Sequence, residues 1–116
     1  QYRNEVDFIR HYIFPGGFLP SLTAIAETLG RATDLRVFHL EDIGAHYATT
    51  LRHWRERFLG NLDRVRAMGF PDTFLCLLEY YLCYCEGGFR ERAIGAVQLL
   101  LTKPLCRREP LIPVLV

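Results

Sequence analysis

The sequence predicts an α/β chain that is mostly helical and contains two strands. Four segments place apolar residues at helical spacing, and two short runs consist of residues that favour strands. A sheet of two strands is only marginally stable by itself. We therefore expect residues outside this sequence to complete the sheet. The first residue, Gln1, together with the single methionine, Met68, indicates either a processed chain or a piece of a longer one, and the second alternative fits this expectation.

The composition excludes some classes of function. The 116 residues are enough for one domain, and a hydrophobic content of 50% can supply a core. A formal net charge of +1 gives no strong electrostatic attraction to nucleic acid, which we do not expect as a partner. No apolar run reaches the roughly 20 residues of a membrane-spanning helix, so any membrane contact is expected to be peripheral.

The four cysteines do not predict a metal site. Cys76, Cys83, Cys85 and Cys106 are unevenly spaced, and Cys83-Tyr84-Cys85 does not have the CxxC spacing of zinc sites. The sequence starts with no signal peptide, so we expect reduced thiols and a cytoplasmic protein.

The first element is a predicted helix that extends to about Tyr12 and is stopped by Pro15-Gly16-Gly17. The following loop is unusual because it carries Phe14, Phe18 and Leu19 on a backbone that proline and glycine keep irregular. These side chains either fill the local core or pack against something specific.

A short helix and a strand follow. Ser21 is the predicted N-cap of the helix, and Gly30 is expected to end it. Its predicted buried stripe consists of Leu22, Ile25, Ala26 and Leu29. Residues 35–40 form a predicted strand, with Leu35, Val37 and His39 on one face and Arg36, Phe38 and Leu40 on the other.

Residues 44–54 are the centre of the sequence. A polar, hydroxyl-rich opening leads into an amphipathic helix, predicted from His46 to about Met68 with a break near Gly60-Asn61. One stripe of this helix contains Tyr47, Leu51, Trp54 and Phe58. Tyr47 lies in the first turn, so its hydroxyl is expected at the edge of the surface against which the apolar stripe packs. It is either ordinary core or part of a functional site.

The last predicted helix follows Gly69-Phe70-Pro71 and is capped by Asp72 or Thr73. Tyr81, Cys85 and Phe89 lie at i, i+4 and i+8 and form either a buried stripe or one side of a long apolar pocket.

The continuous apolar run of residues 96–102, ended by Lys103-Pro104, predicts a strand that is covered on both faces. We expect residues 1–104 to form one portion of a domain and residues 105–116 to form a tail.

Several ordered blocks of the sequence carry a family resemblance. They are residues 12–17 with 19–21, residues 46–48 with 50, 51 and 54, residues 80–82 with 85, 86 and 88–90, and Gln98 with Lys103-Pro104. From about Phe8 to Pro104, the sequence resembles the C-terminal part of cyclopropane-fatty-acyl-phospholipid synthases and the related mycolic acid methyltransferases.

The resemblance implies the C-terminal portion of a Rossmann-like methyltransferase fold. It also implies transfer of the methyl group of S-adenosylmethionine to a cis double bond of a phospholipid acyl chain, with loss of a proton to bicarbonate and closure of a cyclopropane ring. Tyr47 matches the tyrosine that orients the bicarbonate. The positions that match the acyl-binding residues of the family are Phe14, Leu19, Leu51, Tyr81, Cys85 and Phe89.

The partners implied by the resemblance are unsaturated phospholipid acyl chains at the inner membrane face, and a homo-oligomer is an open alternative. Cofactor-binding residues are not expected in this sequence, because neither Gly16-Gly17 nor Gly87-Gly88 follows a strand and opens a helix. The chain alone is therefore expected to be inactive. Three other interpretations stay open: simple methylation of the acyl chain, a non-catalytic helical module that binds an apolar ligand or a partner, and a degenerate fragment.

Overall fold

The computed structural model describes residues 8–109 and residue 111, and it confirms a mostly helical α/β chain with two strands. A π-helical turn, Ile9–Ile13, precedes the other elements. In chain order these are α1 (Leu22–Ala32), β1 (Arg36–Asp42), α2 (Gly44–Leu59), α3 (Leu62–Ala67), α4 (Asp72–Arg90) and β2 (Val97–Thr102). No helix within the described residues is long and apolar enough to span a membrane.

The chain divides into two compact units. Among the described residues, the first contains residues 8–19 and 41–98, and the second contains residues 20–40, 99–109 and 111. The helices α2, α3 and α4 belong to the first unit, whereas α1 and most of both strands belong to the second.

The first unit is built on the packing of α2 against α4. Both helices contribute to one buried cluster, which consists of Ala48, Leu51, Leu82, Cys85 and Phe89. Leu51 is the most deeply buried of these side chains. Half-buried side chains surround the cluster and include Ile9, Tyr47, Phe58, Leu78 and Tyr81. The two stripes predicted from helical periodicity therefore meet in one core.

The long central helix is broken where the sequence predicts it. The Asn61 side chain donates a hydrogen bond to the Arg57 carbonyl at 2.7 Å, which takes up an acceptor at the end of α2, and α3 begins at Leu62. The start of α2 lies two residues earlier than predicted, at Gly44, because the Asp42 carboxylate accepts a hydrogen bond from the Gly44 N–H at 2.8 Å.

The predicted cap of α4 is wrong. Pro71 is the N-cap residue and makes no side-chain cap, while Asp72 is already helical. The Asp72 carboxylate instead accepts a hydrogen bond from Arg66 Nε at 2.9 Å. An ion pair with the preceding helix thus takes the place of the predicted cap.

The segment that leads into the apolar loop is helical, as predicted, from Phe8 to Ile13, and residues 1–7 of the predicted helix lie outside the described part. Its last hydrogen bond joins the Phe14 N–H to the Ile9 carbonyl at 2.8 Å, and Gly16 adopts φ +78° in the turn. Phe14, Phe18 and Leu19 all remain more than half exposed. They do not fill the local core.

In the second unit, Ser21 caps α1 as predicted, since its hydroxyl accepts a hydrogen bond from the Ala24 N–H at 3.1 Å. The predicted end at Gly30 is wrong. The helix continues to Ala32, and Thr33 ends it by donating from both its N–H and its hydroxyl to the Leu29 carbonyl. In the predicted stripe, Ile25 and Leu29 are half-buried, whereas Leu22 and Ala26 are exposed.

The strands β1 and β2 form an antiparallel pair. The predicted strand at residues 35–40 is confirmed, although it extends to Asp42. The prediction that β2 is covered on both faces is wrong in this structure: Gln98 is exposed and the other β2 residues are half-buried. Within the described residues, β2 has β1 as its one neighbouring strand, which leaves much of its surface uncovered.

A buried ion-pair network joins α2 to α4. Glu86 is only 7% exposed, and its two carboxylate oxygens lie 3.3 Å from Arg55 of α2 and 2.7 Å from Arg90 of α4. A buried carboxylate without a partner would be costly, so the two arginines compensate for the burial of Glu86. The network therefore orients the two helices whose packing forms the core.

We expect Glu86→Gln to lower the free energy of unfolding by about 1 to 3 kcal/mol, because it removes the charge and leaves the half-buried Arg55 without its ion pair. Glu56→Gln is the matched control, since Glu56 pairs with Arg52 and His53 on the exposed side of α2 and should change stability by less than about 0.5 kcal/mol. Urea unfolding of the native-length protein measures both. Equal effects of the two substitutions would contradict the stabilising role of Glu86.

Candidate functional site

Tyr47 lies in the first turn of α2 and is half-buried. Its ring packs edge-on against Phe89 of α4, with ring centroids 4.9 Å apart, and against Trp54 two turns later in α2, at 5.9 Å. Two edge-to-face contacts hold the ring in place. None of the side-chain hydrogen bonds formed within residues 8–109 uses the Tyr47 hydroxyl, so within this part of the chain it is available to a ligand.

Tyr81 and Cys85 lie one turn apart on the face of α4 that meets α2, and their side chains share a hydrogen bond. Burial raises the pKa of the Tyr81 hydroxyl to about 12, with further contributions from the nearby Cys85 and Tyr47. Burial also raises the pKa of the Cys85 thiol, although the hydrogen bond from Tyr81 opposes this shift. Both groups are therefore uncharged near neutral pH.

Four side chains, Tyr47, Tyr81, Cys85 and Phe89, lie together where α2 packs against α4, and we call this group the Tyr47 face. Its buried part is Cys85 and Phe89, and its half-buried part is the two tyrosines. Leu51 is fully buried one turn after Tyr47 and supports this face from inside the core. Helical periodicity alone identifies all five residues, and the structure brings them together.

The two candidate residues of the apolar loop are placed differently. The Phe14 ring lies edge-on to the Tyr81 ring at 6.2 Å, so Phe14 extends the Tyr47 face towards solvent while remaining 56% exposed. Leu19 is more exposed than Phe14. The seven candidate residues thus range from a fully buried leucine to solvent-exposed loop side chains.

A cavity of about 400 Å³ adjoins Phe89 at the start of α2 and the end of α4. Its lining residues are Asp42, Gly44, Ala45, Phe89, Arg92, Ala93, Ile94 and Gly95. Sequence reasoning selected Phe89 from this set and missed the others. A signal for them appears only in the backbone, where Arg92 adopts φ 55°, a left-handed conformation that turns the chain back after α4.

Close packing at Gly44 also escaped the sequence analysis. A Cβ at this position would lie 3.1 Å from the Asp42 carboxylate and 3.6 Å from the Phe89 ring. A side chain at position 44 would therefore crowd the Asp42 carboxylate, whose hydrogen bond begins α2, whereas its contact with Phe89 would be an ordinary one.

The two glycine pairs of the sequence lie in different surroundings. Gly16-Gly17 follows the π-helical turn, and Gly87-Gly88 lies inside α4, so neither pair joins a strand to a helix. Within residues 8–109 and 111, no group of three histidine, cysteine or acidic side chains is arranged to hold a metal ion.

The sequence was compared with known proteins. The family model for mycolic acid cyclopropane synthetase matches residues 1–99. The tuberculostearic acid methyltransferase UfaA1 of Mycobacterium tuberculosis is 42% identical over 101 residues, which cover 87% of this chain and 24% of the relative. The cyclopropane-fatty-acyl-phospholipid synthase of Escherichia coli K12 is 36% identical over 100 residues, covering 86% of this chain and 25% of the relative.

A probable fatty acid methyltransferase of Pseudomonas putida is 35% identical over 102 residues, covering 88% of this chain and 25% of the relative. The chain thus spans about a quarter of the length of the curated relatives it matches. The match to the family model covers most of the chain, and its relatives are lipid methyltransferases and cyclopropane synthases. The chain belongs to the mycolic acid cyclopropane synthetase family of S-adenosylmethionine-dependent methyltransferases.

Proposed function

We propose that the protein transfers a methyl group from S-adenosylmethionine to a cis double bond of a phospholipid acyl chain and closes a cyclopropane ring with loss of a proton. In this proposal the chain supplies the C-terminal part of the enzyme, which binds the acyl chain. The methyl donor is bound by residues outside this chain, in keeping with the absence of a cofactor loop from residues 8–109.

The observation that carries the proposal is the Tyr47 face. It combines two buried apolar side chains, Cys85 and Phe89, with two half-buried tyrosines beside them. An acyl chain needs an apolar surface of this kind, and the exposed Phe14 extends it towards solvent. Identity to lipid methyltransferases over most of the chain supports the same substrate class.

The protonation states on this face suit a cationic intermediate. Methyl transfer to a double bond leaves a carbocation, which water or a thiolate would quench. The raised pKa values keep the Cys85 thiol and the Tyr81 hydroxyl neutral. Since the thiolate and not the thiol is the strong nucleophile, Cys85 can border the reacting carbon without trapping it.

Tyr47 is the group that we assign to the proton-removal step. Its hydroxyl, which no described side chain occupies, would donate a hydrogen bond to a bicarbonate ion, and the contacts with Phe89 and Trp54 fix the ring. A phenol hydroxyl is a suitable donor of a hydrogen bond to an oxyanion. Bicarbonate, when bound, supplies the base that accepts the proton.

Simple methylation of the acyl chain is the second candidate reaction. Two of the similar relatives are named as a tuberculostearic acid methyltransferase and a probable fatty acid methyltransferase, at 42% and 35% identity, and the cyclopropane-fatty-acyl-phospholipid synthase is 36% identical. The two reactions share the carbocation and differ in how it is resolved. Incubation of the native-length protein with S-adenosylmethionine and unsaturated phospholipid, followed by NMR of the released fatty acids, distinguishes a ring methylene from a methyl or exocyclic methylene branch.

We expect Tyr47→Phe in the native-length protein to lower kcat on the order of 10- to 100-fold, because it removes one oriented hydrogen-bond donor and keeps the ring contacts. The change is measured as methyl transfer to unsaturated phospholipid, and thermal unfolding should remain within a few degrees of wild type.

Tyr84→Phe is the matched control for Tyr47→Phe, since Tyr84 lies on the exposed side of α4 and should tolerate loss of its hydroxyl. Full activity of Tyr47→Phe would disprove the role of the hydroxyl. A loss of activity as large in Tyr84→Phe would show that the effect is not specific to this face.

We also expect Cys85 to react with iodoacetamide far more slowly than Cys76, Cys83 and Cys106 at about pH 8, close to the ordinary thiol pKa. Cys85 is buried and its raised pKa leaves little thiolate, whereas the other three cysteines are exposed. Peptide mass mapping over time measures the four rates. Rapid labelling of Cys85 in the folded protein would contradict a dry apolar site.

A further inference from the structure

The ion pair between α2 and α4 lies on the same two helices as the contact between Tyr47 and Phe89. Arg55 Nη2 of α2 donates a hydrogen bond to Glu86 Oε2 of α4 at 3.3 Å. Tyr47 lies eight residues before Arg55 in α2, so the two backbones are about 12 Å apart along the helix axis. The two helices are therefore joined at two separate points.

The helix between these two points is stiff. From Ala45 to Leu59, α2 is continuous and contains neither glycine nor proline, the residues at which helices commonly bend. A shift of Arg55 along α4, or a rotation of α2 about its own axis, therefore moves Tyr47 as well.

The side chains between the two points are apolar. Leu51 of α2 belongs to one buried cluster with Leu82 and Cys85 of α4. Apolar burial is not directional, so it stabilises several registers of two helices to a similar extent. A hydrogen-bonded ion pair, in contrast, weakens steeply when its distance or angle changes. The Arg55–Glu86 contact therefore favours one register of α2 on α4.

Arg55 depends on Glu86 within the described part of the chain. The Arg55 side chain is half-buried, and its Nε is buried and donates to no group there. Its Nη2 donates to Glu86, which is itself buried. The chain itself encloses both groups, so the contact does not require residues outside it.

We infer that Glu86 is a positioning residue for the proton-removal step: through Arg55 it sets the register of α2 on α4 and thereby the place of the Tyr47 hydroxyl. This inference rests on the proposed function. No side-chain hydrogen bond within residues 8–109 holds the Tyr47 hydroxyl, so its place follows that of its helix. A displacement of about 1 Å at a reacting group can lower the rate on the order of 100-fold.

The test measures kcat and KM for methyl transfer to unsaturated phospholipid by the native-length protein, at a temperature where every variant is folded. We expect Glu86→Gln to lower kcat about tenfold and to change KM less than about twofold, because it moves the Tyr47 hydroxyl and leaves the acyl-binding side chains in place. Glu56→Gln is the matched control on the exposed side of α2 and should retain the kcat of wild type. Unchanged kcat in Glu86→Gln would overturn the inference.

A double-mutant cycle with Tyr47→Phe separates positioning from a general loss of structure. If Glu86 acts through the Tyr47 hydroxyl, Glu86→Gln should change kcat less than about twofold once that hydroxyl is absent. A further loss of about tenfold in the Tyr47→Phe background would overturn the inference, because the two effects would then be independent.

The variant R55M/E86M separates positioning from stability. Replacement of a buried ion pair by apolar side chains is often neutral or stabilising, so this variant should unfold at the temperature of wild type or above it. Arg90, which also pairs with Glu86, is 56% exposed and keeps its charge in water. The kcat of R55M/E86M should nevertheless fall about tenfold. Wild-type kcat in this variant would overturn the inference.

Arg90 provides a second comparison. Its ion pair with Glu86 is the shorter of the two, at 2.7 Å, but both residues belong to α4. Arg90→Gln should therefore change kcat less than about twofold, whereas Arg55→Gln should match Glu86→Gln. The reverse order would overturn the inference, because Glu86 would then not act between the helices. Failure of the proposed function gives a different result, since wild type itself would then transfer no methyl group to phospholipid.

Discussion

The contact between α2 and α4 is the interaction on which the first unit depends. It buries Leu51 and Cys85, positions Phe89 against Tyr47, and encloses the carboxylate of Glu86 between two arginines. Apolar burial drives the helices together, and the ion-pair network selects one orientation, since a buried charge tolerates few alternative partners. The geometry of the proposed site is therefore a direct result of how two amphipathic helices pack.

Helical periodicity predicted the two stripes that form this contact, because residues at i, i+4 and i+8 must share a face wherever the helix lies. Tyr81, Cys85 and Phe89 were identified in this way, as was Leu51. Periodicity could not predict the partners of polar groups, which depend on segments distant in sequence. Glu86 pairs with Arg55, 31 residues earlier, and nothing in the local sequence indicates this pairing.

Element ends were harder to predict for the same reason. Aspartate is a common helix cap, yet the Asp72 carboxylate accepts a hydrogen bond from Arg66 of the preceding helix. Glycine often ends a helix, yet α1 continues past Gly30, and Thr33 provides both hydrogen bonds that terminate it. In both cases the hydrogen bonds of another residue, and not the preference of the residue itself, determine how the helix begins or ends. The roles assigned to Phe14 and Leu19 remain predictions, because they concern ligands and not the packing of this chain.

The hydrogen bond between Asp42 and Gly44 has a consequence for how this protein tolerates insertions. The Asp42 carboxylate and the absence of a side chain at Gly44 fix the first residue of α2, and Tyr47 follows less than one helical turn later. A single added residue between Asp42 and Tyr47 would rotate the tyrosine by about 100° around the helix axis and carry it away from Phe89. The distance along the chain from the end of β1 to Tyr47 is therefore fixed by the site.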